Sequence, residues 1–483
     1  MLRWWPLALI LVFATALRLH QLDARVMHGD EANQAVKTGH LLETGEYRFD
    51  PQDHHGPTLY YLTLPVAWLR GETTLAALTE TTLRLVPLLA GVAAVALLAA
   101  LAAPWGRTAA CAAALLLATA PAAVYFSRYY IQESLLLAFT LGAFVAVRQW
   151  WRTGLTRWAL LAGAAIGLMQ ATKASAPLFL LAGALALLAQ LPLAGGSPAR
   201  RWRDVVLGLV MAIGVAALFY SSFFTHPTGL RDALATYLPA GGRVASGAGH
   251  EKPWHYYLGL FLPQTIGGYR WSQSLFLLLA LAGATASIWA APERRPLLRT
   301  WTLYTVVIAV LFSVVPYKTP WLVIHWLVGL SLLGGGLVGA VTDRRLRGRV
   351  LGLLLIGLTT AAQLRQTDLA VYLRPGDARN PLAYVHPSPD VRKVRPLVEQ
   401  ARAQGQVGPV RVISSEVWPL PWYLRGLDGV GYWAAPPDDC DGAVVVAAAD
   451  QAEAVRARLR DRYRETFLGL RPGFVLVVFT REP

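Results

Sequence analysis

Apolar runs recur along this sequence at close intervals, at about 82–103, 108–126, 133–150, 158–173, 176–193, 205–224, 272–291, 301–316, 321–341 and 350–364, and one more, Trp4 to Leu17, precedes them. Runs of this length constrain the fold more than any other feature of the chain. A helix needs about 20 apolar residues to cross a bilayer core, with a range of roughly 17–25. Inside hydrocarbon every backbone N–H and C=O must be bonded within the protein, which leaves helices or a closed barrel. The runs are continuous rather than alternating, so they select helices. The expected fold is a polytopic α-helical membrane protein with about 11 transmembrane helices, the short pair around Lys173 being the least regular. Charged residues make up only 15% of the chain, against about a quarter in soluble domains. Trp4–Leu17 also reads as a signal-peptide core, since Ala14-Thr15-Ala16 resembles a cleavage site. With so many spans behind it, an uncleaved first helix that sets topology is the preferred reading.

The formal net charge is +15, but its placement argues against nucleic acid. Arginines gather between apolar runs: Arg148, Arg152 and Arg157; Arg200, Arg201 and Arg203; Arg294, Arg295 and Arg299; Arg344, Arg345, Arg347 and Arg349. A nucleic-acid footprint needs a contiguous basic face, whereas clusters between spans are the positive-inside pattern of cytoplasmic loops. A cytoplasmic N-terminus puts loops 104–107, 148–157, 194–204, 292–300 and 342–349 all inside. It leaves loops 18–81 and 225–271, and everything after residue 365, on the extracytoplasmic side.

The transmembrane domain is therefore expected to span 1–365. The remainder, 366–483, changes character. VRVIS (410–414), GAVVVAAA (442–449) and GFVLVVFT (473–480) read as short buried strands, and DVRKVRPLVEQARAQ (390–404) and DQAEAVRARLRDRY (450–463) as amphipathic helices. That alternation predicts a small C-terminal α/β domain outside the membrane. It carries no glycine-rich phosphate loop. Cys111 lies in an apolar run and Cys440 in this polar part, so no disulfide between them is expected.

Charged side chains at a membrane boundary are costly and need a reason. Here they crowd the extracytoplasmic side. HGDEA (28–32) opens a predicted helix whose apolar side is Ala32, Ala35, Val36, Leu41 and Leu42. A helix N-terminus favours the ionised forms of Asp30 and Glu31, and for an isolated pair a solvated helix start explains as much. His28 before it, and Asp50, Asp53, His54 and His55 in DPQDHHGP (50–57) after it, make the group larger than capping needs. Histidine with carboxylate suits divalent cations. His28, Asp30, His54 and His55 are therefore candidate ligands for a divalent metal, although no fixed spacing supports a site and the sequence requires no cofactor.

SRYYIQE (127–133) places Arg128, Tyr129 and Glu133 at the next outer turn. Snorkelling accounts for the arginine and the helix dipole for the glutamate, but neither accounts for their meeting. ATKASAP (171–177) and YKTPW (317–321) each put one lysine, Lys173 and Lys318, between apolar runs on the side where positive charge is disfavoured. His325 follows Lys318 within the next run. Two such exceptions suggest an anionic partner, and phosphate is the natural one because lysine binds it as a point charge. The loop 225–271, with His250, Glu251, Lys252, Trp254, Tyr256, Tyr257 and Arg270, reads equally as cover for such a site or as a solvated loop.

Carboxylates and cations around one outer-face site suit transfer from a lipid-linked phosphate. A carboxylate serves as general base for an acceptor hydroxyl, and lysine or arginine stabilises the charge growing on the departing phosphate. Lys173, Arg128 and Lys318 are the phosphate-binding candidates. Glu133, His54, His55, Tyr129 and His325 are the candidates for substrate contact. The alternative is a translocator of lipid-linked sugar, or an accessory protein of a glycosylation pathway. A translocator needs polar residues at mid-membrane depth, and the runs here are nearly charge-free. WPLPWYLR (418–425) suits a surface by which the C-terminal domain docks, or simple packing of that domain.

HGDEA, SRYYIQES, ATKASAP and YKTPW together resemble the GT-C superfamily of membrane glycosyltransferases, of the protein O-mannosyltransferase and aminoarabinose-lipid A transferase types, over residues 1–365. HGDEA with YRFDPQDHHGPTLYYL, KTPWL and WPLPWYLR more narrowly resembles a family associated with flippase activity in archaeal protein glycosylation, which also occurs in bacteria. The resemblance implies a GT-C-like fold in the cell membrane, a polyprenyl-phosphate sugar donor, and inversion at the sugar carbon. It implies an acceptor (protein, lipid or glycan) met outside the cytoplasm, among membrane lipids. Carried onto this chain, it makes Asp30 the catalytic base, with Glu31 beside it in the acidic pair. Glu133 stands where relatives have an acidic residue at a later outer turn. Lys173 matches a phosphate-contacting lysine that precedes a small residue and proline, and Lys318 matches a later lysine motif. The sequence departs from the pattern where ATKASAP displaces the proline, where Tyr317 precedes Lys318, and where HHGP replaces a lysine-proline-proline turn. Those departures bear on donor and acceptor identity.

Overall fold

The computed structural model describes residues 4–53, 55–188, 198–247, 249–289, 295–343 and 346–482. His54 and, from the arginine clusters, Arg294, Arg344 and Arg345 lie outside them. The chain forms two compact units, one of residues 1–20, 46–62 and 84–375, the other of residues 21–45, 63–83 and 376–483.

The apolar runs are helices. Among the described residues five are long and apolar enough to cross a membrane: Glu80–Trp105, Glu133–Thr153, Arg201–Tyr220, Arg295–Val314 and Pro320–Thr342. Shorter apolar helices are Trp5–Leu19, Thr58–Leu69, Arg107–Thr119, Ala176–Leu187 and Ser274–Ala286. The run 108–126 is not one helix. Ala120 is extended and Pro121 starts a new helix, Pro121–Phe126, because proline offers no N–H to the preceding turn and disfavours a helical residue before it. The loop 18–81 contains Thr58–Leu69, an apolar helix with Pro65 inside it that the sequence reading leaves as loop.

Small residues let the helices of the first unit approach closely. Ile324–Thr342 is buried along nearly its whole length. A Cβ added at Gly335 would lie 2.6 Å from the Ala113 nitrogen, and one at Gly339 would lie 2.6 Å from the Ala109 Cβ. Lipid gives helices no hydrophobic drive to associate, so dense van der Waals contact at such residues takes its place. In the loop 225–271, β1 (Gln264–Ile266) and β2 (Tyr269–Trp271) form a hairpin. It turns through Gly267 and Gly268, both at positive φ as a two-residue turn requires.

The second unit carries a five-stranded sheet of β3 (Val410–Ile413), β4 (Val430–Trp433), β5 (Val444–Ala448), β6 (Tyr463–Arg471) and β7 (Phe474–Arg481), in the order β4-β3-β5-β7-β6. β3 runs parallel to β4 and β5, and β7 antiparallel to β5 and β6. β5 is buried at every residue, as a central strand covered on both faces should be. Helix Val394–Ala403 buries Val394, Val398 and Ala401, at helical spacing. The three expected strands are present. The expected helix 450–463 is helical only over Ala452–Arg456, and at Tyr463 the chain enters β6. Pro472 and Gly473, the latter at φ +78°, turn β6 into a hairpin with β7. Arg456 then pairs with Glu465 at 2.7 and 2.9 Å. The cross-strand partner overrides the local helical pattern. Nothing in the sequence announces β4, since four residues containing a glycine carry little strand signal.

Candidate active site

Lys173 lies in the turn between helices Thr156–Gln170 and Ala176–Leu188. Its ammonium pairs with the carboxylate of Glu133, the first residue of helix Glu133–Thr153, and both side chains are buried. Two charges that the sequence leaves at separate outer turns thus neutralise each other, as buried charges must. Gly56 and Thr58 meet the same turn. The Gly56 N–H donates to the Thr172 carbonyl at 3.1 Å and the Thr58 N–H to the Ala171 carbonyl at 3.4 Å. The Thr58 and Thr172 hydroxyls are 2.7 Å apart. A Cβ at Gly56 would collide with the Ala171 carbonyl, so this close approach requires glycine. His55, half-buried, is therefore placed beside the Lys173 turn through its neighbour Gly56.

Lys318 is 1% exposed. Its ammonium donates to the Val315 carbonyl, and among the described residues no carboxylate pairs with it. Burial lowers its pKa from the ordinary lysine value. The loop 225–271 packs along this segment. The Lys318 N–H donates to the His250 carbonyl at 3.1 Å, the Lys252 N–H to the Pro316 carbonyl at 3.3 Å, and the Tyr257 hydroxyl to the Thr319 carbonyl at 3.1 Å. Of the two readings of the loop 225–271, this favours cover over free solvation.

His325 is fully buried. Its ring stacks on Phe179 with centroids 3.7 Å apart, and neither ring nitrogen has a hydrogen-bond partner among the described residues. Phe179 lies in the first turn after ATKASAP and His325 in the first turn after YKTPW, so the stack joins the ends of the two lysine motifs. Arg128 and Tyr129 have aromatic neighbours. The Arg128 guanidinium lies 5.0 Å from the Tyr372 ring centroid, and the Tyr129 hydroxyl is 3.2 Å from that of Tyr125.

In the second unit HGDEA starts the helix Gly29–Thr44, as its sequence predicts. His28 is the N-cap. Its Nδ1 accepts the Asp30 N–H at 3.1 Å, and Nε2 donates to the Tyr384 carbonyl at 2.9 Å. Glu31 accepts the His28 N–H at 3.0 Å, which closes a capping box, and takes the Arg25 guanidinium at 3.0 Å. Glu31 is fully buried, whereas the Asp30 side chain is 43% exposed. The acidic pair is therefore divided. Glu31 fixes the helix start, and Asp30 presents its carboxylate to solvent in the first turn. Arg25 is a partner the sequence reading misses, since it is one of four arginines in the segment 18–81 and nothing singles it out.

Both ring nitrogens of His28 are engaged, Nδ1 by the Asp30 N–H and Nε2 by the Tyr384 carbonyl. Among the described residues no three His, Cys, Asp or Glu side chains form a metal-ligand set. Asp30 and Glu31 belong to the second unit; Lys173, Arg128, Lys318, Glu133, His55, Tyr129 and His325 belong to the first.

The structure aligns with apo ArnT of Cupriavidus metallidurans at a TM-score of 0.64 and 16% identity, over 98% of this chain and 97% of that one. With the same protein bound to undecaprenyl phosphate, the TM-score is 0.62 at 17% identity, over the same shares. The likeness to both structures shows a shared fold. The archaeal oligosaccharyltransferase AglB of Archaeoglobus fulgidus, in complex with an inhibitory peptide and a dolichol-phosphate, aligns over 87% of this chain and 63% of its own at 14% identity and a TM-score of 0.58. Residues 63–220, which include SRYYIQES and ATKASAP, match the family model of dolichyl-phosphate-mannose-protein mannosyltransferases. A comparison with curated proteins gives no match. The GT-C resemblance carried by the motifs is borne out by this shared fold and by the family-model match.

Proposed function

We propose that this chain is a membrane glycosyltransferase that moves a sugar from a polyprenyl-phosphate donor to an acceptor at the extracytoplasmic face. The observation that carries the reading is Lys318, a buried ammonium with no carboxylate partner among the described residues. A buried cation without a counter-charge is strongly unfavourable, and a donor phosphate supplies that charge. The likeness to ArnT bound to undecaprenyl phosphate supports a lipid-linked phosphate as the source.

In the transfer, the acceptor atom attacks the anomeric carbon as the bond from that carbon to the phosphate oxygen breaks. Asp30 takes the acceptor's proton. Lys318, Lys173 and Arg128 stabilise the negative charge growing on the phosphate. A single displacement inverts the anomeric carbon. Asp30 serves as base because its carboxylate is exposed, whereas that of Glu31 is occupied by Arg25 and the His28 N–H. Glu133, His54, His55, Tyr129 and His325 remain the proposed substrate contacts, and the N-terminus is assigned to the cytoplasmic side.

The test is turnover by the pure protein in lipid nanodiscs, supplied with a panel of polyprenyl-phosphate sugars and acceptor membranes. Release of free polyprenyl phosphate together with sugar on the acceptor is the expected result. Movement of the intact lipid-linked sugar between leaflets, with no release, would make the chain a translocator.

A further inference from the structure

The proposed chemistry makes no use of WPLPWYLR (418–425), yet the second unit gathers this segment around the start of the Asp30 helix. The Met27 N–H donates to the Tyr423 hydroxyl at 2.9 Å. Tyr423 ends a short helix, Leu420–Tyr423, that packs on Gly29–Thr44. A Cβ at Gly29 would lie 3.4 Å from the Trp418 Cβ. The same segment also holds residues 78–80. The Trp422 Nε1–H donates to the Glu80 carboxylate at 3.1 Å, and Arg425, lying 3.6 Å over the Trp422 ring, donates to the Leu78 carbonyl at 2.9 Å. Trp422 is completely buried.

Filler in a core needs only apolar contact. Here the polar atoms of Tyr423, Trp422 and Arg425 are each aimed at a backbone or carboxylate group of a segment far away in sequence. One of those groups is the N–H immediately before the N-cap residue His28. A general base must lie within hydrogen-bond reach of the proton it removes, and a displacement of about 1 Å costs up to ~10²-fold in rate.

We infer that WPLPWYLR is a clamp that sets the position of Asp30, with Tyr423 and Trp422 as positioning residues for the transfer. The inference rests on Asp30 being the base.

The experiment compares the full-length parent, Tyr423→Phe, Trp422→Phe and Asp30→Asn in nanodiscs. Tyr423→Phe removes the hydroxyl on Met27, and Trp422→Phe removes the bond to Glu80; both keep an aromatic ring. Each is expected to lower kcat of the folded protein about tenfold or more and leave the donor KM within about twofold; the melting temperature falls in both through the lost hydrogen bond, and further in Trp422→Phe through the lost volume. Hydrogen exchange at the amides of residues 28–32 should accelerate in Tyr423→Phe. Parental kcat in both variants overturns the inference. So does a loss of kcat matched by an equal loss of folded, donor-binding protein, which would mark a merely structural role. If Asp30→Asn is inactive while both aromatic variants are parental, the clamp alone is refuted. If Asp30→Asn keeps its turnover, the base assignment is refuted and the clamp falls with it.

Discussion

Arg25 holds the carboxylate of Glu31 at 3.0 Å, and both side chains are buried. One half of the acidic pair is thereby committed to structure, and the carboxylate of its neighbour Asp30 stays exposed, as the proposed base requires. Glu31→Ala would remove the carboxylate from the buried Arg25 guanidinium, and breaking a buried pair costs about 3–5 kcal/mol. Asp30→Ala removes an exposed charge from a helix N-terminus, worth about 1 kcal/mol or less. Thermal unfolding should therefore show a large drop for Glu31→Ala and a small one for Asp30→Ala. Equal drops would contradict this division.

Lys173 and Glu133 can be separated into a structural and a binding role. Lys173→Ala leaves Glu133 buried and unpaired, so it should destabilise the protein and weaken donor use together. Replacing both, as Lys173→Met with Glu133→Leu, removes both charges at similar volume, an exchange that is often neutral or stabilising. The double variant is expected to regain the parental melting temperature while donor KM stays raised. Recovery of donor KM along with stability would remove Lys173 from phosphate binding.

Gly56 tests whether HHGP sets the Lys173 turn. In Gly56→Ala the new methyl group meets the Ala171 carbonyl and must displace the turn. Donor binding, followed by ligand-induced thermal stabilisation, should weaken. Gly357→Ala, in helix Leu346–Thr367 with open space around it, is the control and should match the parent. Parental donor binding by Gly56→Ala would show that the close approach has no part in binding.

Lys318 gives a pH dependence whose sign is fixed. Burial lowers its pKa, so the ammonium is charged at low pH and loses its proton as pH rises through the lowered value. Binding of a polyprenyl phosphate should therefore weaken on the alkaline side, before about 10.4, where an exposed lysine titrates. Lys318→Arg keeps its charge to above about 12 and should carry the decline with it. Binding by the parent that holds level up to an exposed lysine's range would contradict the assignment.

The membrane helices were legible because an apolar run is a local property, and the HGDEA helix because its cap and its apolar side are written within a few residues. Helix breaks such as Pro121 were legible in principle, since proline acts on its immediate neighbours. The strand β6 was not, because its hairpin partner decides the matter against a local helical pattern. The site motifs were visible one at a time, while their pairings were not. Glu133 meets Lys173 across 40 residues and Tyr423 meets Met27 across 396. The division between Asp30 and Glu31 depends on Arg25, which nothing in the sequence marks as a partner of Glu31.

The most direct measurement is donor turnover by the parent and by Asp30→Asn, purified side by side into nanodiscs and given the same polyprenyl-phosphate sugar and acceptor. General-base catalysis contributes typically 10²–10⁴-fold. Release of polyprenyl phosphate by Asp30→Asn should fall by about that factor at an unchanged melting temperature. Release equal to the parent's would contradict Asp30 as the base.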